Sequence, residues 1–195
     1  MKLFLATGNK HKIEEIKAIF QENELEIYSI LDGISIPEVV EDGKTFEENS
    51  QKKALEIAKH LNMMTIADDS GLCVDALGGA PGVYSARYSE EGTDEANNQK
   101  LLRNLQGIEN RRAKFVSVIS FAKPNGEVFS FRGEVEGEII DERRGDFGFG
   151  YDPYFYVKEY GKTLAEMPEV KKQISHRAEA LKKFREFWRK HRNSR

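Results

Sequence analysis

Ser175-His176-Arg177, close to the end of the chain, places a helix-capping hydroxyl directly before an imidazole and a guanidinium. A positive helix terminus and two donor-rich side chains then converge on one point, which suits an anionic or carbonyl-bearing ligand. A lysine-bearing loop with Lys171 and Lys172 precedes it. At the opposite end, Thr7-Gly8-Asn9-Lys10-His11-Lys12 joins a short apolar run to a helical pattern. The first helical amides, with Lys10 and Lys12, can hold phosphate oxygens there. The competing reading is an ordinary glycine turn with Asn9 as a cap. The segment is not a Walker A loop, because the second glycine and the GK[ST] ending are absent.

In the middle of the chain, Asp68-Asp69-Ser70-Gly71 closes a strand-like run. Adjacent carboxylates there can hold Mg²⁺, which prefers one or two carboxylates plus waters and substrate phosphate oxygens. A carboxylate not fully committed to the metal can take a proton from an attacking water. The alternative is a turn that uses Asp and Gly for local hydrogen bonds. Glu41 could add a further carboxylate, although an acidic residue ahead of a helix needs no such role. Phe149-Gly150-Tyr151-Asp152-Pro153 offers aromatic faces, a glycine that lets backbone come close, and a carboxylate. It could equally be a packing loop stopped by proline. Together these segments describe a site for a nucleotide and a metal.

The elements that must position them follow from periodicity. Lys2 to Thr7 reads as a buried strand, and Ile13, Ile16, Ile19 and Phe20 recur at helical spacing after it. A second strand over Leu25 to Ile30 completes a strand–helix–strand opening that favours a βαβ unit. Thr45 with Glu48 forms a capping-box pattern ahead of a helix whose inner face is Ala54, Ile57, Ala58 and Leu61. Met64 to Ala67 reads as a strand, Leu77 to Gly82 as a glycine-rich loop, and Thr93 as the cap of a helix carrying Leu101, Leu102 and Leu105. Phe115 to Ala122 and Val128 to Ile140 form a long hairpin about Pro124-Asn125-Gly126. Gly145 to Gly150 reads as a flexible loop and Tyr154 to Val157 as a short strand. Thr163 with Glu166 repeats the capping pattern, and Ser175 caps a last helix with Leu181, Phe184 and Trp188 on one stripe. The order predicts an α/β fold with a long mixed central sheet, helices on both faces, and two lobes with an active-site cleft between them.

Composition limits the function classes. The 195 residues fit one domain, 1–195, with two lobes. A net charge of -3 gives no general attraction to nucleic acid or to an anionic membrane, so phosphate binding must come from local basic clusters. The single cysteine, Cys73, allows no internal disulfide, and a cytoplasmic setting is expected. No signal peptide or membrane-spanning run is expected. On residue grounds His11, His60 and His191 have no chemical role. The basic run from Lys182 to Arg195 reads as a solvated helix face with a frayed tail rather than a nucleic-acid arm. Glu134, Glu136 and Glu138 alternate on one strand face, read as solvent-exposed rather than as a metal site.

Several segments recur together in one known family. They are Ala6-Thr7-Gly8-Asn9 with Lys12, Glu41-x-Gly43-x-Thr45-Phe46-x-x-Asn49, Ala67-Asp68-Asp69-Ser70-Gly71-Leu72, Gly78-Gly79-Ala80-Pro81-Gly82 with Ser85-Ala86-Arg87-Tyr88, Gly148-Phe149-Gly150-Tyr151-Asp152-Pro153, and Ile174-Ser175-His176-Arg177. In this order, across essentially the whole chain, they resemble the inosine triphosphate pyrophosphatase family. The resemblance implies a Mg²⁺-dependent cytoplasmic homodimer. It also implies hydrolysis of non-standard purine nucleoside triphosphates (ITP, dITP, XTP) to monophosphate and pyrophosphate, which cleans the nucleotide pool. By position it assigns Thr7, Gly8, Asn9, Lys10, His11 and Lys12 to the triphosphate, with Lys10 and His11 the variable members. Glu41 and Asp69 go to the metal, with Asp68 a further candidate, and Asp69 is also the proton acceptor. Ser70 touches substrate, and Phe149, Gly150, Tyr151 and Asp152 stack on and read the nucleoside. Lys171, placed by its spacing to Ser-His-Arg with Lys172 one residue away, joins His176 and Arg177 at the base or its phosphates.

Two consequences follow from that assignment. A carboxylate bound directly to Mg²⁺ has its pKa lowered and is a poor base, so either Asp69 meets the metal through water or Asp68 or Glu41 is the inner ligand. Hypoxanthine and xanthine carry a carbonyl where adenine carries an amino group, and Arg177, always protonated, is the expected donor to it. Arg177→Ala is therefore expected to lower selectivity as well as rate. The rival readings are a pyrophosphatase for pyrimidine or modified nucleotides, a non-catalytic nucleotide sensor, and a nucleic-acid-binding protein using the basic C-terminus.

Overall fold

The structure, a computed structural model, describes residues 1–20 and 25–192. Strand β1 (Lys2–Leu5) leads into helix α1 (Lys10–Lys17) and strand β2 (Glu26–Ser29), and β1 pairs in parallel with β2, so the βαβ opening is present. Helix α2 (Phe46–Leu61) precedes β3 (Met64–Val74), which lies parallel on the other side of β1. Helix α3 (Asp94–Asn104) and the strands β4 (Arg112–Ala122) and β5 (Val128–Ile139) follow. Short strands β6 (Phe155–Val157) and β7 (Lys162–Thr163) continue antiparallel from β5. Helices α4 (Pro168–Ile174) and α5 (His176–His191) end the chain. The sheet is mixed and has seven strands in the order β2-β1-β3-β4-β5-β6-β7. Among the described residues no helix is long and apolar enough to cross a membrane.

The chain divides into two compact units, one from Met1–Asp69, Ser117–Arg132 and Ala180–Arg195, the other from Ser70–Val116 and Gly133–Glu179. The first unit has two apolar clusters, and strand alternation explains why. In β1, Leu3 and Leu5 join Ile13, Ile16, Ile66, Leu181 and Phe184 under α1 and α5. Phe4 points the other way, to Ala54, Ile57, Ala58 and Ala67 under α2. Helices therefore cover both faces. In the second unit one cluster gathers Leu72, Val74, Leu101, Leu105, Phe115, Tyr151, Phe155 and Leu164.

Three local expectations are corrected. The Met64 strand does not stop at Ala67; it runs to Val74, so Asp68 to Gly71 is strand interior rather than a turn. A strand is possible because half-buried polar side chains are tolerated once they are paired. Lys171 and Lys172 lie on helix α4, opened by Pro168 at its first position, and not on a loop. At α2, Thr45 Oγ1 accepts from Glu48 N at 3.1 Å, but Glu48 Oε2 accepts from Lys44 N at 2.7 Å, one residue ahead of the expected capping-box partner. The reciprocal box is instead complete at Thr163 and Glu166. At the end of the chain α5 runs through His191 with Lys182, Lys183, Arg189 and Lys190 exposed, which is the expected solvated helix face, and Lys183 Nζ also donates to the Arg132 carbonyl. The frayed tail expected at the end of the Lys182 to Arg195 run falls on residues that reach beyond the described ones, since 193–195 lie outside them.

Candidate active site

In the first unit the turn before α1 is built by side chains. Thr7 Oγ1 accepts from Asn9 N at 3.1 Å. Asn9 Oδ1 accepts from His11 N at 3.0 Å and Lys12 N at 3.3 Å, so Asn9 is the helix cap. Two of the amides that the sequence offered to phosphate are thus already bonded to Asn9. Gly8 has no left-handed φ, and a Cβ there would meet nothing within 4 Å. The fold itself therefore does not demand glycine at this position. Lys10 and His11 are exposed.

Lys12 Nζ donates to Asp68 Oδ2 at 2.8 Å, with the carboxylate side chain only 9% exposed. Alternation along β3 makes sense of the pair. Ile66 packs under α1 and α5 while Ala67 packs under α2. Asp68 therefore shares the face of α1, where Lys12 meets it, and Asp69 shares the face of α2. Neighbouring on one strand, the two carboxylates are set by that alternation toward opposite sides of the sheet. Asp69 and the following Ser70 are both half-buried.

Glu41 lies in the loop leading to α2, with Oε1 4.0 Å from Lys53 Nζ. Asn49, quoted above only as part of a motif, holds that loop. It is 3% exposed and its Oδ1 accepts from Gly43 N at 2.7 Å. The approach is tight enough that a Cβ on Gly43 would stand 2.6 Å from Asn49 Oδ1. Gly43→Ala is expected to cost roughly 1–3 kcal/mol of stability, measured by thermal or denaturant unfolding. An unchanged midpoint would show that the loop yields freely.

Glu41 and Asp69 are hard oxygen donors and fit Mg²⁺ by chemistry. Among the described residues no group of three or more His, Cys, Asp or Glu side chains is assembled to hold an ion. A cation bound by one or two carboxylates and completed by water and substrate oxygens needs no such group.

In the second unit Phe149, Asp152 and Lys171 form one arrangement. Asp152 is 3% exposed; its Oδ2 accepts from Lys171 Nζ and, at 3.2 Å, from Phe149 N. The Lys171 ammonium lies 4.8 Å from the centroid of the Phe149 ring, which is itself 57% exposed. An exposed aromatic ring with a cation on one face leaves the other face for stacking. Lys172 instead pairs with Glu169 on the surface, so Lys171 is the lysine that joins this arrangement. Gly148, at φ +77°, would place a Cβ 2.2 Å from Asp152 Oδ2, so glycine is required twice over. Tyr151 points inward: its hydroxyl donates to Ser85 O at 2.6 Å, and burial pushes the phenol's pKa up, so it stays a donor. Tyr151 is thus an anchor from the Phe149 loop to the Gly82–Arg87 turn.

Ser175 caps α5, its Oγ accepting from Ala178 N at 3.1 Å. His176 and Arg177 open that helix and are each 7% exposed. The His176 ring stacks on Phe115, centroids 5.0 Å apart, so one face of the imidazole is committed to packing. His191, given no role above, stacks on Phe187 at 4.3 Å. On β5, Glu134 pairs with Lys114 at 3.2 Å, while Glu136 and Glu138 are exposed.

A mixed seven-stranded sheet flanked by helices defines an α/β protein. The chain belongs to the Ham1 family, whose family model matches residues 3–187. The dITP/XTP pyrophosphatase of Desulfotalea psychrophila is 52% identical over 181 residues, covering 92% of this chain and 81% of the relative. That of Geobacter sulfurreducens is 51% identical over 184 residues, 92% of each chain. The structure of the Staphylococcus aureus Ham1 protein matches with a TM-score of 0.91 at 45% identity, covering 97% of this chain and 99% of that one.

Proposed function

We propose that this chain hydrolyses non-standard purine nucleoside triphosphates, ITP, dITP and XTP, to the nucleoside monophosphate and pyrophosphate. The observation that carries the reading is membership of the Ham1 family along residues 3–187, with relatives at about half identity named dITP/XTP pyrophosphatase. The homodimer, the cytoplasmic setting and the use of Mg²⁺ belong to the same reading and rest on the family resemblance.

In this reading the Gly8 and Lys10 amides and the Lys12 ammonium receive triphosphate oxygens, with Thr7 and Asn9 shaping the turn. Asp68 accepts from Lys12 Nζ at 2.8 Å, so in this reading Glu41 would be the inner ligand of Mg²⁺ and Asp69 would meet the ion through water, which leaves its carboxylate able to act as a base. Mg²⁺ bound there would neutralise charge on the phosphate chain. Asp69 orients and deprotonates the attacking water, and Ser70 contacts substrate beside it. The base stacks on the open face of Phe149, with Gly150, Tyr151 and Asp152 shaping the loop and Lys171 fixed beneath the ring. Arg177 and His176 supply donors, and a donor aimed at the purine 6-carbonyl leaves adenine facing donor to donor. Mismatched polar contacts of that kind can discriminate by about 10⁴-fold.

The test is incubation with each purine and pyrimidine triphosphate, with and without Mg²⁺, scoring monophosphate and pyrophosphate separately from diphosphate and orthophosphate. Turnover of ITP, dITP and XTP to pyrophosphate, lost on chelation, is expected. Arg177→Ala should lower both the rate and the preference for inosine over adenosine triphosphate. A preference for pyrimidine triphosphates, or no turnover at all, would defeat the reading.

A further inference from the structure

Helix α3 grips the loop that carries Phe149. Asp94 Oδ2 accepts from Gly150 N at 2.8 Å, and Asn98 Nδ2 donates to Gly150 O at 2.9 Å. Residues four apart share one helix face, so a single face of α3 holds both backbone polar groups of one residue. Gly150 has φ +61°, and a Cβ there would meet nothing within 4 Å. Conformation rather than crowding therefore selects glycine, a residue whose own side chain puts no restraint on the backbone there. Next to it stands the Phe149 ring, more than half exposed and so poorly fixed by packing. Asn98 is buried at 3% exposure, whereas Asp94 stands at the exposed start of α3.

We propose that Asp94 and Asn98 are positioning residues for recognition of the nucleoside. Clamped at both its N–H and its C=O, Gly150 cannot rotate, and the aromatic platform before it keeps one orientation toward the base. The pair acts on binding of the base and not on the phosphate chemistry. This inference rests on the reading that Phe149 stacks on a purine.

The experiment compares wild type, Asp94→Ala, Asp94→Asn and Asn98→Ala by steady-state kinetics on inosine triphosphate and by amide exchange in the ligand-free protein. Asp94→Ala and Asn98→Ala should raise KM about tenfold while kcat stays within about twofold, because a removed positioning contact weakens binding common to ground and transition states. Both should speed exchange across 149–151. Asp94→Asn keeps an oxygen that can accept from Gly150 N and should return KM most of the way to wild type. If buried Asn98 proves necessary for folding, Asp94→Ala at the exposed helix start still decides. A fall in kcat at constant KM, an unmoved KM, or Asp94→Asn as impaired as Asp94→Ala would overturn the proposal. Should wild type turn over no purine triphosphate, the functional reading fails by itself. The exchange data then judge the clamp alone, and unchanged exchange in Asp94→Ala overturns it.

Discussion

Asp69→Asn is expected to lower kcat on inosine triphosphate by roughly 10²–10⁴-fold, the range that a positioned general base contributes. The amide keeps the shape of the carboxylate and removes its charge, so the fold should survive. The informative control is its neighbour. Asp68 lies on the other face of β3 and holds Lys12 at 2.8 Å. Asp68→Asn weakens that ion pair while leaving an acceptor, and its main effect should be on KM for the triphosphate. Two adjacent, chemically identical substitutions would then separate along kcat and KM, for no reason other than strand alternation. If Asp69→Asn keeps near-wild-type turnover, or if the two variants behave alike, the assignment of Asp69 as base is wrong.

Lys171→Met should act on stability and on the nucleoside together. The Lys171–Asp152 pair is nearly enclosed, with side-chain exposures of 17% and 4%. Removing the cation leaves a buried carboxylate held by the Phe149 amide. Losing one partner of a buried pair typically costs about 3–5 kcal/mol, and the partial exposure of Lys171 places the expected loss near the lower figure. Adding Asp152→Asn should recover much of that stability, since the orphaned charge is gone and an oxygen remains for Phe149 N. It should not restore tight nucleoside binding, because the cation beneath the Phe149 ring is still missing. Chemical denaturation of the two single variants and the double variant gives the coupling directly. Wild-type stability in Lys171→Met would show that the pair is not the support it is taken to be.

The local chemistry of the chain was open to reading from its residues. Caps at Asn9, Thr93 and Ser175, the helical stripe of Leu181, Phe184 and Trp188, the hairpin turn at Asn125-Gly126 and the βαβ opening depend on contacts a few residues apart. Elements further along were harder. Helix α4 lies just before Ser175, and the strongly polar Lys171-Lys172 pair hid it. The strand through Asp68 to Gly71 reads as a turn because Asp and Gly disfavour strands when nothing else is known. Asp94 and Asn98 did leave a signal, two polar residues four apart on a capped helix, but a sequence does not say what lies opposite a helix face.

The sequence by itself determined most element types, the mixed α/β class and the set of side chains proposed to meet phosphate, metal and base. Tertiary structure alone decided their partners: Asp68 with Lys12, Asp152 with Lys171 rather than Lys172, Asn49 with Gly43, and Asp94 and Asn98 with Gly150. The reason is physical. Caps and periodicity are set by energies acting within a helical turn or a strand pleat, whereas an ion pair across 56 positions of chain exists only after the sheet has brought its ends together.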